Sequence, residues 1–246
     1  MSLYRKLLLR LYPYKTLHDD YIARMRSAMG GAGMLHEGNI YAFDHVFQRL
    51  PQTGGILEIG SFAGLSANVI TWLLRKHGIN RPFFTCDPWV YEGYHDPTRK
   101  DDAVYMAHFE ACRHITREDF TDFIQESFRR NTLFFSREFL PHTIRLTSDA
   151  FFDAWQKQER KTDVFGRKVT LGGPLSFVYV DGDHSYEVAR RDVEHSLEHL
   201  VPGGFLLLDD SADFWKYGSV QLAQEMKRWK GLELVMKTPN YLYRKR

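Results

Sequence analysis

Cysteine is nearly absent from this chain: Cys86 and Cys112 are the two in 246 residues. Neither stands in a Cys-x-x-Cys pair or at a Cys/His spacing, which excludes a disulfide framework and a cysteine-ligated zinc. A reducing, cytoplasmic setting is therefore the expectation. An excess of one charge is missing as well. Lys and Arg number 33 against 31 Asp and Glu, a net charge of +2, so there is no basic field of the kind that non-specific nucleic-acid binding uses. No apolar run is long enough to span a bilayer, and the most apolar N-terminal stretch, LLLRLYPY, is broken by Arg10 and Pro13. That stretch reads as an amphipathic helix for packing on a partner. Internal repeats and low-complexity segments are also lacking. What remains, 43% hydrophobic residues, suits one medium domain with an insertion. The expected division is an N-terminal helical segment over 1–53 and a main domain over 54–246, with a helical insertion at 91–142.

The periodicity of the chain supports that division. Apolar spacing predicts helices over Tyr4 to Leu11, Leu17 to Met29 and Asn39 to Leu50, with Asn39 as N-cap of the third. From Ile56 short apolar runs alternate with helical stretches: strand Ile56 to Ile59, helix Leu65 to His77, strand Phe83 to Cys86. Residues 91 to 142 then hold helical stretches rich in aromatics. The alternation resumes with strand Thr143 to Thr147 and a helix from Phe151 to Gln158. A charged surface loop, Lys157 to Lys168, follows. The stretch from Phe177 to Asp210 reads as strand, crossover helix, a Pro-Gly-Gly turn at 202–204 and strand, and two last runs, Leu232 to Met236 and Tyr241 to Tyr243, form a closing hairpin. Runs apolar on both faces, joined by helices, make a doubly wound, mostly parallel α/β sheet with an antiparallel last strand.

Open sheets of this kind bind ligands beyond the carboxyl ends of their strands. There the chain carries acid. Asp181 ends one strand, and Asp209 with Asp210 ends another, so three carboxylates share one crevice, which is unfavourable unless a cation or a cationic ligand neutralises them. Their oxygens, without cysteine nearby, suit Mg²⁺, Mn²⁺ or Ca²⁺ better than zinc. Gly60 and Gly64 stand in the turn between the first strand and its helix, where glycine permits positive φ and close approach of a ligand to the helix N-terminus. The spacing Glu-x-Gly-x-x-x-Gly is not the dinucleotide fingerprint GxGxxG. With Asp87 ending the next strand, in reach of two ribose hydroxyls, the loop suits a nucleoside without a diphosphate.

The set LEIGSFAGLS, CDPW, TSDAF, VDGDHSYE and PGGFLLLDD resembles class I S-adenosylmethionine-dependent methyltransferases. In particular it is similar to the macrocin O-methyltransferase-like group, which acts on antibiotic sugars. The resemblance implies a seven-stranded sheet and O-methylation of a small-molecule hydroxyl acceptor. It places Glu58, Gly60, Ser61, Gly64 and Ser66 around the methionine part of S-adenosylmethionine. Asp87 would bind the ribose, and Asp149 with Ala150 would border the adenine. Asp149 reads equally well as a helix N-cap. Asp181 would touch the cofactor and, with Asp209 and Asp210, hold a divalent metal. Asp183 or His184 would take the proton of the acceptor hydroxyl, His184 being the better base near neutrality, with Asp183 to orient it. The insertion would cover the crevice or form an interface, and a homo-oligomer could assemble through it or through the N-terminal helices. Three rivals stay open: a metal-independent methyltransferase of the same class, a nicotinamide-dependent oxidoreductase, and a non-catalytic nucleoside-binding relic.

Overall fold

The computed structural model describes residues 14–29, 35–89 and 117–246. The expected first helix, the glycine-rich break at 30–33 and the insertion as far as residue 116 lie outside the described residues. In chain order the elements are α1 (Asp20–Met29), α2 (Glu37–Phe47), β1 (Gly55–Ile59), α3 (Leu65–Lys76), β2 (Phe83–Cys86) and α4 (Arg117–Phe135). Then come β3 (His142–Ile144), α5 (Ser148–Gln156), β4 (Arg160–Thr162), β5 (Lys168–Thr170), β6 (Leu175–Val180) and α6 (Tyr186–His199). The chain closes with β7 (Leu200–Leu208), α7 (Gly218–Met226), β8 (Leu232–Lys237) and β9 (Tyr241–Lys245).

Seven strands form one sheet in the order β3-β2-β1-β6-β7-β9-β8. β9 runs antiparallel to both of its neighbours, β7 and β8, and the other described ladders of this sheet are parallel. The doubly wound sheet, its antiparallel last strand and the closing hairpin are thus as the sequence predicts. Successive strand residues face opposite ways. Phe177 and Tyr179 of β6 point into a core shared with α1 to α4, while Val178 and Val180 point into a second core shared with α5 to α7. Burial on both faces is why these strands are continuous apolar runs rather than alternating ones.

The N-terminal helices belong to the first core. Phe43 of α2 meets Phe177 and Tyr179 edge-on, with ring centroids 5.9 and 4.9 Å apart, and Phe47 meets Phe177 at 5.6 Å. Burying side chains of this size contributes roughly 1.5–3 kcal/mol each. The described part of the insertion, α4, also packs as core through Ile124 and Phe128. Among the described residues no helix is long and apolar enough to cross a membrane.

Four local readings need correction. Asn39 is not an N-cap: α2 starts two residues earlier, capped by His36, whose Nδ1 accepts the Gly38 N–H at 2.9 Å. Asp149 is not a cap either, because Thr147 caps α5 and accepts from the Ala150 N–H. The charged stretch after α5 is no plain loop but contains the β4–β5 hairpin. Pro202, Gly203 and Gly204 lie inside β7, where the pairing with β6 steps from Leu175↔Leu200 to Phe177↔Phe205, so the expected turn is absorbed as a bulge.

Candidate active site

The carboxyl ends of β1, β2, β6 and β7 meet above the middle of the sheet. Gly60 follows β1 with φ +84, and a Cβ there would stand 1.9 Å from the Asp181 carbonyl oxygen. Only glycine lets the loop after β1 pass this close to the loop after β6. Gly64 then opens α3 with φ +89, without any side-chain cap.

Asp87 holds that loop in shape. Its Oδ2 accepts the N–H groups of Ser61 and Phe62 at 2.8 and 2.9 Å, and its Oδ1 accepts the Trp89 N–H at 2.7 Å. Burial pushes its carboxyl above the usual range, against the three amides that favour the anion. The Trp89 indole donates to the Phe62 carbonyl oxygen at 2.9 Å, and Asn131 of α4 donates to the Ala63 carbonyl oxygen at 2.9 Å. The insertion therefore braces the glycine turn from outside.

Glu58 lies beneath the same loop and is fully buried. Its Oε2 accepts from the Ser61 hydroxyl at 3.1 Å, while its Oε1 has no hydrogen-bond partner. Burial drives its carboxyl up to about 8; the Ser66 and Ser61 hydroxyls oppose the shift and the charge of Asp87 adds to it. A buried acceptor without a donor is unfavourable. An N–H donor brought to it would satisfy it.

Asp149 is half exposed and faces α6, with its Oδ2 3.5 Å from Arg191 Nη2, and Ala150 beside it is exposed. Behind it lies a residue the sequence does not single out, Asp192 of α6. It is 1% exposed, neither oxygen accepts a hydrogen bond, and burial raises its carboxyl to about 7.

The acidic end divides in two. The Oδ2 atoms of Asp181 and Asp209 meet at the Tyr179 hydroxyl, at 3.0 and 2.7 Å. Burial, with the charges of Asp209 and Asp210, holds the Asp181 carboxyl well above the usual range. Asp210, with φ +46, turns the other way and places Oδ2 3.0 Å from Nε2 of His184. The His184 ring also packs against Tyr217, centroids 5.3 Å apart. Asp183 is exposed and its Oδ1 accepts the Ser185 N–H at 2.6 Å at the start of α6. The carboxylate beside His184 is thus Asp210.

Three neighbouring carboxylates are the oxygen donor set that a hard divalent cation takes, and the crowding of Asp181 by Asp209 and Asp210 is what a cation would relieve. In chemistry the residues fit such an ion. In position two of them do, since Asp210 faces His184, and among the described residues no three His, Cys, Asp or Glu side chains are arranged to hold a metal.

A family model described as a methyltransferase domain matches residues 57–211. Comparison with curated protein sequences gives no significant match. Several solved structures share the fold. The O-methyltransferase from Bacillus cereus, in complex with SAH, aligns over 100% of this chain and 98% of its own, with TM-score 0.54 and 11% identity. The O-methyltransferase NovP aligns over 100% and 98%, with TM-score 0.55 and 16% identity. The SAH-bound Podospora anserina methyltransferase PaMTH1 aligns over 100% and 97%, with TM-score 0.58 and 11% identity. At such identities the likeness is one of fold.

Proposed function

This chain belongs to the methyltransferase-domain family, and from that premise we propose that it transfers a methyl group from S-adenosylmethionine to a hydroxyl oxygen of a small molecule. A sugar or another natural product with neighbouring oxygens is the acceptor class we favour. The observation that carries this reading is the pair Glu58 and Asp87 on either side of the glycine turn. One is a buried carboxyl whose Oε1 lacks a donor. The other is a carboxylate that fixes the turn through three amides.

S-adenosylmethionine supplies the electrophilic methyl carbon on a sulfonium. The chain's own work is to hold it and to manage one proton. Glu58 Oε1 would accept from the α-ammonium, and Gly60 and Gly64 let the turn and the open start of α3 approach the methionine part, with Ser61 and Ser66 beside it. Asp87 would keep the loop closed and present its edge to the ribose. Asp149 and Ala150 would border the adenine. At the acidic end His184 would take the acceptor proton at Nδ1 while Nε2–H is donated to Asp210, which stabilises the imidazolium as it forms. Asp181 and Asp209, joined by Asp210 once it turns from the imidazole, would hold a divalent cation such as Mg²⁺, Mn²⁺ or Ca²⁺; when bound, it would lower the pKa of a chelated hydroxyl and orient it.

Incubation with methyl-labelled S-adenosylmethionine and a panel of sugars, catechols and polyols tests the reading. SAH should raise the melting temperature, and at 100 times its dissociation constant should add about 2.7 kcal/mol. No shift at any concentration would end the proposal. A second reading, transfer without a metal, draws support from the turn of Asp210 toward His184. Full turnover in a strong chelator would favour it over the first.

A further inference from the structure

Two side chains outside the matched region reach the acidic end from opposite ends of the chain. Asn39 of α2 donates through Nδ2 to Asp209 Oδ1 at 2.6 Å, and Asn240, in the turn between β8 and β9, donates to the same oxygen. Both are buried, at 0% and 2% exposure. Asn240 Nδ2 also donates to Asn39 Oδ1 at 3.0 Å, and its own Oδ1 accepts the N–H groups of Ser211 and Ala212. Asn39 Nδ2 further reaches the Tyr179 hydroxyl at 3.2 Å. The approach depends on Gly38: a Cβ there would stand 1.6 Å from the Thr238 carbonyl oxygen, so a side chain would push α2 off the hairpin turn.

We infer that Asn39 and Asn240 are positioning residues of the acidic end, holding Asp209 so that Oδ1 is occupied by two amides and Oδ2 is the oxygen turned toward Asp181. The inference rests on the reading of Asp181, Asp209 and Asp210 as the residues that would hold a cation. An amide NH₂ group can only donate and does not titrate, so both contacts require Asp209 Oδ1 to be the acceptor. Two bonds to one oxygen fix the rotation of the carboxylate, which one bond would leave variable. Tyr179 completes the arrangement. Its hydroxyl donates to Asp209 Oδ2 at 2.7 Å. Outer partners of this kind set how well a ligating carboxylate is presented, and their loss typically weakens metal binding by 10–100-fold.

The test is direct titration of the whole protein with Mn²⁺, followed by electron paramagnetic resonance, alongside the melting-temperature shift produced by SAH. Asn39→Leu keeps the branched shape and removes both donor and acceptor; Asn39→Ser is a smaller second variant. The expected result is a Mn²⁺ dissociation constant raised about 10–100-fold with the SAH shift retained. A folded variant that melts lower, shifts normally with SAH and binds Mn²⁺ within twofold of wild type would reduce Asn39 to a structural tie and overturn the inference. Should neither variant fold, the side-chain amide resonances of wild type answer the question. They should move on Mg²⁺ addition and saturate with it, and resonances that ignore the ion would overturn the inference. Wild type that binds no Mn²⁺ while still shifting with SAH would sink the cation reading and this inference with it, leaving the nucleoside site intact.

Discussion

Replacing Glu58 by glutamine should make the apo protein more stable and the liganded one weaker, with a pH dependence that identifies the group. In the folded chain burial lifts this carboxyl from its ordinary 4.5 to about 8. The folded state therefore holds a proton that the unfolded state has lost throughout that interval, and stability must fall as pH rises through it. At 1.36 kcal/mol per pH unit the full difference is ~5 kcal/mol, all of it present below pH 4.5 and gone above pH 8. Glutamine mimics the neutral acid and does not titrate. The difference in unfolding free energy between Glu58→Gln and wild type should thus be small at pH 5 and grow to several kcal/mol at pH 8.5. Asp192, raised to about 7, tilts both proteins alike and cancels in the difference. Binding should reverse the order. To meet an ammonium group, wild-type Glu58 must release its proton, so below pH 8 SAH affinity should rise with pH. Calorimetry in two buffers of different ionisation enthalpy should find close to one proton released per SAH near pH 6.5 in wild type and none from this group in the variant. Denaturation curves whose pH slopes are the same in both proteins would refute the argument, as would equal proton release.

Other consequences can be checked on the same preparation. Gly60→Ala drives a methyl to 1.9 Å from the Asp181 carbonyl oxygen at φ +84, so chemical denaturation should show a loss of about 3 kcal/mol or more; a loss under 1 kcal/mol would contradict the close approach. Asp87→Asn leaves one acceptor oxygen where two serve three amides, at ~2–4 kcal/mol, and SAH affinity measured by calorimetry should drop about 10²-fold; an unchanged affinity would show that the loop holds without it. With a competent acceptor in hand, His184→Ala should lower kcat/KM by about 10²–10⁴-fold and remove the acidic limb of its pH profile while SAH binding persists. Asp183→Ala should weaken the start of α6 by ~1 kcal/mol and leave the rate within a few-fold; the reverse pattern would exchange the two roles.

The parts of the fold that depend on the sheet were legible because burial on both faces leaves a plain mark. The runs at 56–59, 83–86 and 177–180 have no polar alternation strong enough to suggest a surface strand, and the first and last are each followed by a turn and a helix. Where the sequence misled, a local signal was real but answered another demand. Asn39 ahead of Ile40, Ala42 and Phe43 looks like a cap, yet its side chain is buried toward Asp209, and the cap is a histidine, a residue seldom assigned that duty. Arg160 to Thr162 and Lys168 to Thr170 carry too few apolar residues to read as strands. Their antiparallel pairing is a property of two segments at once, invisible in either alone.

The same distinction separates the legible from the illegible in the site. Residues at strand ends are found from sequence, since a parallel sheet gathers its carboxyl ends at one edge, and Glu58, Asp87, Asp181 and Asp209 lie there. Partners that arrive from elsewhere are not: Asn39 and Asn240 meet Asp209 across separations of 170 and 31 residues. The pair Asp209 and Asp210 shows how adjacency misleads. Read as neighbours, both seem to aim at one ion. Successive side chains at the end of an extended strand point opposite ways, and the turn at Asp210, φ +46, carries its carboxylate to His184 rather than back to Asp181. For the two to share a ligand, Asp210 would have to turn from the imidazole. The acidic end would therefore couple any cation to His184, because the carboxylate that would complete the one is the partner of the other.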